Sequence, residues 1–582
     1  MTINGPAAPK LDPITTEVIR SYYDSTAKQM RNLMIRGAFN PGIYEMHDFS
    51  LGLYTTRAEL IAEGPGIPAF LGTLTFAITE IVKYVGEENL EEGDVILSTY
   101  PYWIGAHPQD ATMVCPIFVE GKLFGYTSAK AHWLDLGAKD VYGTDTTDVF
   151  QEGLMLFGVK LVKRGEINRE ITEIIRANTR APAAVLGDMT AQISACVHGV
   201  KRVQQLCAKY GADVVNASVA AILDHGELLA RKAIAAMPDG EWEAEAALDN
   251  DGLSDEPVNI KVRIRIRGDE IQMDTEGSAP QQKGPVNSLL GRSISVARLV
   301  LKMIVAPEYS ANEGFFRPLT VTCPPGSLFN PAHPAPTFLY GWPSRPMGAA
   351  IFKAFAAIAP DRTVARDGCD LGAINFSWVD PEDGGFRAGA WNECVGQGAA
   401  IDQDGENALV NFSIGDSRNV PIEIAEERYP IRVERYELWE DSGGAGRHRG
   451  GLGVRKFWST LLDTSMIAAI DQTKFPAWGI DGGGFGAANK LALKAGQEDE
   501  SRRGKVTGFK LKAGDRIELS MGGGGGWGDA FERDPDHVLA DVVGGYVSIA
   551  AAEQKYGVSI KPHDSALAVD REQTTALRAA RP

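Results

Sequence analysis

Basic side chains are in the minority in this chain of 582 residues. It has 58 Lys and Arg against 76 Asp and Glu, which gives a formal net charge of −18. No Lys- or Arg-rich block occurs anywhere along the sequence. Proteins that bind nucleic acids concentrate positive charge on one face or segment, because they must neutralise phosphates. The composition therefore excludes DNA and RNA as expected partners.

Long apolar segments are also missing. No stretch approaches the roughly 18 uninterrupted apolar residues that a spanning helix needs. The N-terminal residues 1–6 show no basic segment followed by an apolar run, as a secretory leader would. We therefore expect no membrane partner and a cytoplasmic location. The hydrophobic fraction of 44% is nevertheless high enough for several cores in a chain of this length.

Two further absences bear on chemistry. The six cysteines include no C-x-x-C pair, so we expect reduced, mostly buried thiols without a function. The P-loop pattern G-x-x-x-x-G-K-[ST] does not occur. The glycine clusters at 443–446 and 522–526 are predicted to form tight turns between strands. If the protein uses ATP, another subunit must bind it.

Among the patterns that are present, a β-hairpin stands out. Apolar residues 113–119 and 123–127 flank the pair Glu120-Gly121, which favours a tight turn. A regular two-residue turn at this pair places Asp110 opposite Ala131. The residues that precede the first strand and end the second one then meet at the open end of the hairpin.

Three side chains that can bind metals lie at that open end. His107 and Asp110 come just before the first strand, and His132 ends the second one, where the regular hairpin pairs it with Gln109. Imidazole nitrogen and carboxylate oxygen are ligands that Zn, Mn and Fe all accept, and three protein ligands leave room for water and substrate. The pattern thus indicates a catalytic metal site. The alternative is a polar surface at the mouth of the hairpin.

Changes of composition divide the chain into three regions. Residues 1–236 form an N-terminal metal-site region whose first helix begins at Asp12-Pro13, an N-cap followed by proline. A middle α+β region, 237–405, begins at an acidic, Gly-containing stretch. Residues 406–582 are rich in Gly and in short alternating strands. We therefore predict an α+β, multi-part mixed fold with helical segments in the N-terminal half and a β-rich C-terminal part.

A series of short motifs follows in order along nearly the whole chain. They are Asp12-Pro13-Ile14, His47-Asp48-Phe49-Ser50, Gly66-Ile67-Pro68, Gly105-Ala106-His107 with Asp110, Lys130-Ala131-His132-Trp133-Leu134-Asp135-Leu136-Gly137, Gln151-Glu152-Gly153-Leu154, Asn419-Val420-Pro421-Ile422-Glu423, Asp441-Ser442-Gly443-Gly444-Ala445-Gly446 and 522–529. Together they resemble the hydantoinase B/oxoprolinase family, which also includes the large subunits of ATP-dependent ketone carboxylases.

The resemblance implies a catalytic subunit in a hetero-oligomer with a hydantoinase A-like subunit that holds ATP and Mg. In such enzymes ATP activates an oxygen of a small-molecule substrate. The metal-bearing subunit then completes ring opening of a cyclic amide or carboxylation of an enol. The positions that match the family's metal set are His107, Asp110 and His132. The resemblance thus implies one divalent transition metal, Zn or Mn, with Fe as a further candidate.

Two departures from the family pattern lie near the expected site. Phe70 stands where many relatives carry the histidine of His-Leu-Gly, and Tyr100 stands within the place of their Asn-Asp-Pro. If both rings line the pocket, the substrate is larger or more apolar than oxoproline, because aromatic walls favour aromatic or alkyl faces. The alternative is a change in core packing alone.

We therefore expect an ATP-dependent cyclic amide hydrolase subunit. Its metal would lower the pKa of a bound water and polarise the carbonyl under attack. Asp48 or Asp135 would take the proton, although either could instead be a further ligand, a residue that orients a ligand, or an exposed or capping aspartate. One rival is the large subunit of an ATP-dependent ketone carboxylase. Another is a non-catalytic scaffold subunit.

Overall fold

The computed structural model describes residues 11–415, 417–563 and 566–580. The N-terminal residues 1–6, considered above for a leader, lie outside this part. Helices and several separate sheets both occur along the described chain, so the predicted α+β class is confirmed.

A seven-stranded antiparallel sheet forms the N-terminal region. Its strands are β1 (Phe49–Thr55), β2 (Leu60–Gly64), β3 (Val95–Ser98), β4 (Asp110–Val119), β5 (Lys122–His132), β6 (Val159–Lys163) and β7 (Glu166–Ile167). The spatial order is β2-β1-β5-β4-β3-β6-β7, so the two strands of the predicted hairpin lie inside the sheet. Their backbone N–H and C=O groups are paired on both sides, which holds the ends of the hairpin firmly.

The α-helices differ widely in length. Those of the described residues are α1 (Pro13–Gly37), α2 (Pro41–Tyr44), α3 (Pro68–Val85), α4 (Pro101–Ile104), α5 (Arg169–Ala177), α6 (Pro182–Tyr210), α7 (Ala212–Ala235), α8 (Leu290–Val305), α9 (Gly341–Phe355), α10 (Ile422–Arg428), α11 (Pro535–Val543), α12 (Ile549–Tyr556) and α13 (Arg571–Ala579). The predicted start of α1 is confirmed, since the Asp12 side chain accepts hydrogen bonds from the backbone N–H groups of Ile14 and Thr15.

The seven-stranded sheet separates two hydrophobic cores. Side chains alternate between its faces, so Val114 points into one core while Met113 and Cys115 point into the other. Helices α1 and α6 cover the second face, and α3, backed by α8, covers the first. The hairpin end that carries the metal-capable side chains is thus positioned by packing on both sides.

The middle region contains a four-stranded sheet. Its strands are β8 (Gly240–Leu248), β9 (Val258–Arg267), β10 (Glu270–Asp274) and β11 (Leu319–Thr322), and only β10 and β11 run parallel. The predicted period-two strand is β9, whose residues alternate between buried and more exposed positions. Helix α9 packs on β8 and β9 and carries residues from this region to the cavity described below.

The C-terminal part is β-rich, as predicted. Its strands are β14 (Ile431–Leu438), β15 (Val454–Thr460), β16 (Thr464–Ala469), β17 (Lys490–Leu493), β18 (Lys505–Leu511), β19 (Arg516–Ser520), β20 (Ile560–His563) and β21 (Ala566–Val569). Two further strands, β12 (Ala373–Val379) and β13 (Phe386–Trp391), belong to the middle region but pair with β16 and β18. Together these strands form two four-stranded sheets, β13-β12-β16-β18 and β14-β15-β19-β17, and one small hairpin.

The three sequence regions share their interior. One cluster of buried apolar residues extends from Tyr54 to Ala469 and draws on all three. The proposed boundaries near 237 and 406 therefore stay a prediction. In the described ranges no single helix is long and apolar enough to cross a membrane; α6 and α7 meet both conditions only when taken together, as a pair bent by 109°.

Candidate metal centre and its cavity

The predicted hairpin is present, and its turn has the conformation that the sequence favours. Glu120 and Gly121 separate β4 from β5, and their φ angles are 51° and 74°. Tight two-residue hairpin turns of this type need positive φ at both positions, which glycine adopts readily. The strand register shifts between Ile117 and Phe118. Such a β-bulge adds one unpaired residue to one strand and displaces every pair beyond it.

The bulge changes which residues face each other at the open end of the hairpin. Asp110 lies opposite His132, where a regular hairpin predicts Ala131. The predicted pairing of Gln109 with His132 is therefore wrong by one residue, because alternation of apolar residues does not reveal a bulge. The observed register sets the Asp110 carboxylate and the His132 imidazole on directly opposed positions.

His107, Asp110 and His132 come together at this end. His132 Nδ1 lies 3.1 Å from Asp110 Oδ1, and His107 Nδ1 lies 3.4 Å from Asp110 Oδ2. One candidate ligand atom from each residue is within 4.8 Å of the other two. His107 and Asp110 are buried, and the His132 side chain is 17% exposed. A single divalent ion accepts this ligand set and keeps open positions for other ligands.

Neighbouring groups hold two of the three residues in place. Tyr340 donates its hydroxyl to Asp110 Oδ2 at 2.7 Å, and Asn40 Nδ2 donates to the backbone oxygen of His132 at 3.1 Å. His107 Nδ1, in contrast, is buried without a hydrogen-bond partner among the described residues. A buried polar atom left unpaired is unfavourable, and metal binding is a recognised reason for one. These residues therefore fit a metal ion.

The protonation states also suit metal binding. Burial alone would raise the pKa of Asp110, but the neighbouring His107, His132 and Tyr340 outweigh it and lower this pKa to about 2. Burial lowers the pKa of His107 to about 4. At neutral pH the carboxylate is thus ionised and this imidazole neutral, which are the forms that bind metals. For His132, burial is outweighed by Asp110 and Asp48, so its pKa is raised.

Asp48 lies beside the cluster. Its side chain lines the same cavity, and its backbone oxygen accepts a hydrogen bond from the His132 N–H at 3.1 Å. Burial raises the pKa of Asp48 to about 6, Asp110 adds to that rise, and His132 opposes it. A carboxylate with a pKa near the working pH can both accept and return a proton.

The cavity draws its walls from all three regions of the chain. The N-terminal region supplies the metal cluster. The middle region supplies Arg292 from α8, Arg345 from α9 and the opposite side formed by β12 and β13, and the C-terminal region supplies Ile414 and Tyr429. The volume open to the centres of water-sized spheres is about 110 Å³, room for a small molecule. The larger apolar residues of the wall include Met46, Ile67, Phe70, Leu134, Val141, Tyr142, Trp342, Leu371 and Ile414.

Comparison with known proteins agrees with the motifs. Residues 12–530 match the family model described as hydantoinase B/oxoprolinase. The chain belongs to the hydantoinase B/oxoprolinase family. The resemblance inferred from the spaced motifs is thereby confirmed.

Two named relatives align with almost the whole chain. The beta subunit of caprolactamase from Pseudomonas jessenii is 32% identical over 98% of this chain and 99% of its own. A protein of Pseudomonas sp. (strain NS671), assigned as the B component of a D-/L-hydantoinase, is 31% identical over 98% of each. Both relatives are named as subunits, which implies that each works with a partner.

Solved structures share the fold. The crystal structure of ATP-dependent caprolactamase from Pseudomonas jessenii aligns with a TM-score of 0.89 at 30% identity, over 98% of this chain and 100% of that chain. A nucleotide-free structure of acetone carboxylase also gives a TM-score of 0.89, at 21% identity, over 98% of this chain and 82% of that one. At this lower identity the second match shows a common fold alone.

Asp135, the other aspartate that was expected to take the proton, lies away from the cavity of this chain. Its Oδ1 is 2.5 Å from Arg180 Nη2, and its Oδ2 accepts from Arg180 Nε at 3.0 Å. The backbone N–H groups of Gly137 and Arg180 donate to the same carboxylate. Asp135 is not among the residues that line the cavity. Its role as a base or ligand stays a prediction, and this geometry favours Asp48.

The two aromatic departures from the family pattern have different positions. Phe70 lines the cavity, with the Arg292 guanidinium 5.8 Å from its ring centroid. Tyr100 does not line it, but packs against Phe157 and Trp103 with ring centroids 4.6 and 5.2 Å away. Of the two rings that were considered for the pocket wall, only the ring of Phe70 therefore lines the pocket.

Three cavity side chains were missed by reasoning from sequence. Tyr340 precedes α9, Arg345 lies within it, and Arg292 lies in α8. All three are far from the hairpin in sequence, and no local motif marks them. The available signal was a charged residue among the apolar and small residues of a helix, as Arg292 is in α8, although Lys302 of the same helix gives the same signal without lining the cavity.

The glycine cluster at 522–526 does not form the predicted turns. It is an irregular segment packed against the backbone of other segments, and a Cβ on Gly524 would lie 1.9 Å from the backbone oxygen of Gln397. Close approach of backbones, and not a turn, therefore requires glycine here. The Gly524 N–H donates to the Gly451 oxygen, so it is not free to bind a phosphate.

Proposed function

We propose that this chain is the metal-containing catalytic subunit of an ATP-dependent enzyme that opens cyclic amides of the hydantoin, oxoproline or lactam type. The observation that carries the proposal is the cluster of His107, Asp110 and His132 inside a cavity of small-molecule size. The names of two relatives, the B component of a hydantoinase and the beta subunit of a caprolactamase, support the class of substrate.

The cluster would hold one divalent transition metal, with zinc and manganese as the first candidates and iron as the third. When bound, such an ion polarises a carbonyl group and lowers the pKa of water. Tyr340 keeps the Asp110 carboxylate oriented through its hydrogen bond. Asp48 accepts the proton of the attacking water, since a pKa of about 6 leaves it mostly ionised at neutral pH.

ATP binding is assigned to a partner. An amide is a poor electrophile, and transfer of a phosphoryl group to its oxygen makes the carbon easier to attack. This chain has no P-loop pattern, and backbone N–H groups of its glycine cluster are already hydrogen-bonded. We therefore propose a hydantoinase A-like partner subunit that holds ATP and Mg in a hetero-oligomer with this chain. The names of the relatives, which denote subunits, support this arrangement.

Reconstitution tests the proposal. The chain is combined with a hydantoinase A-like subunit from the same organism, and a panel of hydantoin, 5-oxoproline and caprolactam is incubated with Mg-ATP. We expect a ring-opened product and ADP only when both subunits are present. A matched control is the His107→Ala chain with the same partner, which we expect to form the complex without opening the ring. Ring opening by this chain alone without ATP would contradict the proposal.

The same assay separates the rival functions. Addition of bicarbonate and a small ketone tests for carboxylation, which the apolar wall around Phe70 would also accommodate. Carboxylated product without any ring opening would favour that rival. A scaffold subunit needs no metal, and the complete His107, Asp110 and His132 set argues against it.

A further inference from the structure

Two arginines enter the cavity without a carboxylate partner among the described residues. Arg292 is 2% exposed and Arg345 is 3% exposed, and both line the cavity that holds the metal cluster. Three of their guanidinium nitrogens are buried and have no hydrogen-bond partner among the described residues, namely Arg292 Nη1, Arg345 Nε and Arg345 Nη1. Buried arginine is normally ion-paired, because an unpaired guanidinium is expensive to remove from water.

The two guanidinium groups converge on one place. A Cβ built on Gly341 would lie 3.4 Å from Arg345 Nη2 and 3.8 Å from Arg292 Nη2, so glycine leaves this space open between them. Aromatic rings support both groups: Arg345 lies 4.7 Å from the Trp342 ring centroid, and Arg292 lies 5.5 Å from that of Tyr340. Such stacking fixes the donor forks while leaving their edges available.

With a divalent metal bound, the cavity would carry an excess of positive charge, which favours an anionic ligand. Its acidic lining residues are Asp48 and Asp110, which offset the two arginines. The proposed divalent metal then adds two positive charges that no lining carboxylate neutralises. A ligand with two negative charges would restore the balance, and a phosphoryl group is such a ligand.

We propose that Arg292 and Arg345 form an oxyanion subsite that binds the dianionic phosphoryl group of the ATP-activated substrate. The proposal rests on the proposed function, in which the partner transfers that group to the amide oxygen. Bidentate donor forks match the oxygens of a phosphoryl group. The metal cluster lines the same cavity as the two arginines. The subsite thus sets the orientation of the incoming intermediate.

Inorganic phosphate serves as the probe. Calorimetric titration of the metal-loaded chain should show binding that Arg345→Gln and Arg292→Gln each weaken by about tenfold or more. Arg298→Gln is the matched control: Arg298 lies on the same helix as Arg292 but is paired with Glu313 at 2.9 Å and does not line this cavity. We expect this control to bind phosphate as the unchanged chain does.

Two further arms decide what the subsite recognises. Acetate tests a carboxylate ligand, and we expect it to bind at least tenfold more weakly than phosphate. The metal-free His107→Ala chain should still bind phosphate in an Arg345-dependent way, so a failure of the proposed metal chemistry remains distinguishable from a failure of the subsite. Acetate binding as tight as phosphate binding, or equal phosphate binding by all variants, would overturn the proposal.

A stability measurement guards against misfolded variants. Because an unpaired buried cation destabilises the fold, Arg345→Met should raise the thermal midpoint by about 1–2 °C in the absence of phosphate. Phosphate should raise the midpoint of the unchanged chain and not that of Arg345→Met. A lower midpoint for Arg345→Met would mean that this arginine is a structural element, which contradicts the subsite.

Discussion

Removal of one hydroxyl group tests how the metal cluster is held. In Tyr340→Phe the ring remains, but the hydrogen bond to Asp110 Oδ2, 2.7 Å long in the structure, is lost. Hydrogen bonds to buried charged groups contribute about 1.5–3 kcal/mol. If the hydrogen bond contributes all of this free energy to the metal-bound form, its loss lowers the affinity for the metal by roughly 10- to 100-fold. Residues that orient a metal ligand typically have effects in the same range.

The pH dependence of binding gives the prediction a direction. The Tyr340 hydroxyl is one of the groups that lower the pKa of Asp110, so its loss raises this pKa. A proton then competes with the metal at higher pH, and the affinity of Tyr340→Phe should begin to fall at a higher pH than that of the unchanged chain.

Competition with a chromophoric chelator measures the loss of affinity at neutral pH, and a series that extends down to about pH 3 measures the shift caused by the higher pKa of Asp110. Tyr142→Phe is a suitable control, because Tyr142 also faces the cluster, with its ring 5.6 Å from that of His107, but has no hydrogen bond to Asp110. Equal metal affinity for Tyr340→Phe, Tyr142→Phe and the unchanged chain across this range would refute the reasoning.

Three other predictions concern different parts of the molecule. Asp135→Asn should keep the metal but lower the free energy of unfolding by about 1–2 kcal/mol, measured by urea denaturation, because the carboxylate is paired with the partly exposed Arg180. Burial raises the pKa of Glu63 to about 7, so the folded state holds a proton that the unfolded state releases near pH 4.5, and stability falls as pH rises between these values. Glu63→Gln should therefore make the thermal midpoint fall less steeply from pH 5 to 7.5; an unchanged slope would contradict this. The isolated chain should show no calorimetric signal with Mg-ATP, and micromolar binding would mean that it holds a nucleotide site after all.

The parts of the fold that local patterns encode were predictable. The hairpin follows from two apolar stretches around Glu120-Gly121, and α1 follows from the cap at Asp12. The three metal-capable residues could be grouped because a hairpin brings its two ends together whatever its exact register. The register itself was not predictable, since a bulge leaves no mark in the alternation of side chains.

Contacts between distant segments were beyond local reasoning. Tyr340 reaches Asp110 across 230 positions, and the pairing of Asp135 with Arg180 spans 45. Tertiary packing alone brings such residues together, so sequence spacing could not decide whether Asp48 or Asp135 lies at the cavity. The cluster at 522–526 shows the same limit, because glycine required by close backbone approach looks like glycine required by a turn.

Metal dependence of the reaction tests the central claim most directly. The chain is depleted with a chelator, combined with its ATP-binding partner, Mg-ATP and a cyclic amide, and titrated with zinc or manganese while metal content and ring-opened product are measured together. We predict that product formation rises in proportion to bound metal up to about one ion per chain, and that Asp110→Asn neither binds the ion nor opens the ring. Full activity of the depleted chain, or of Asp110→Asn, would contradict the account.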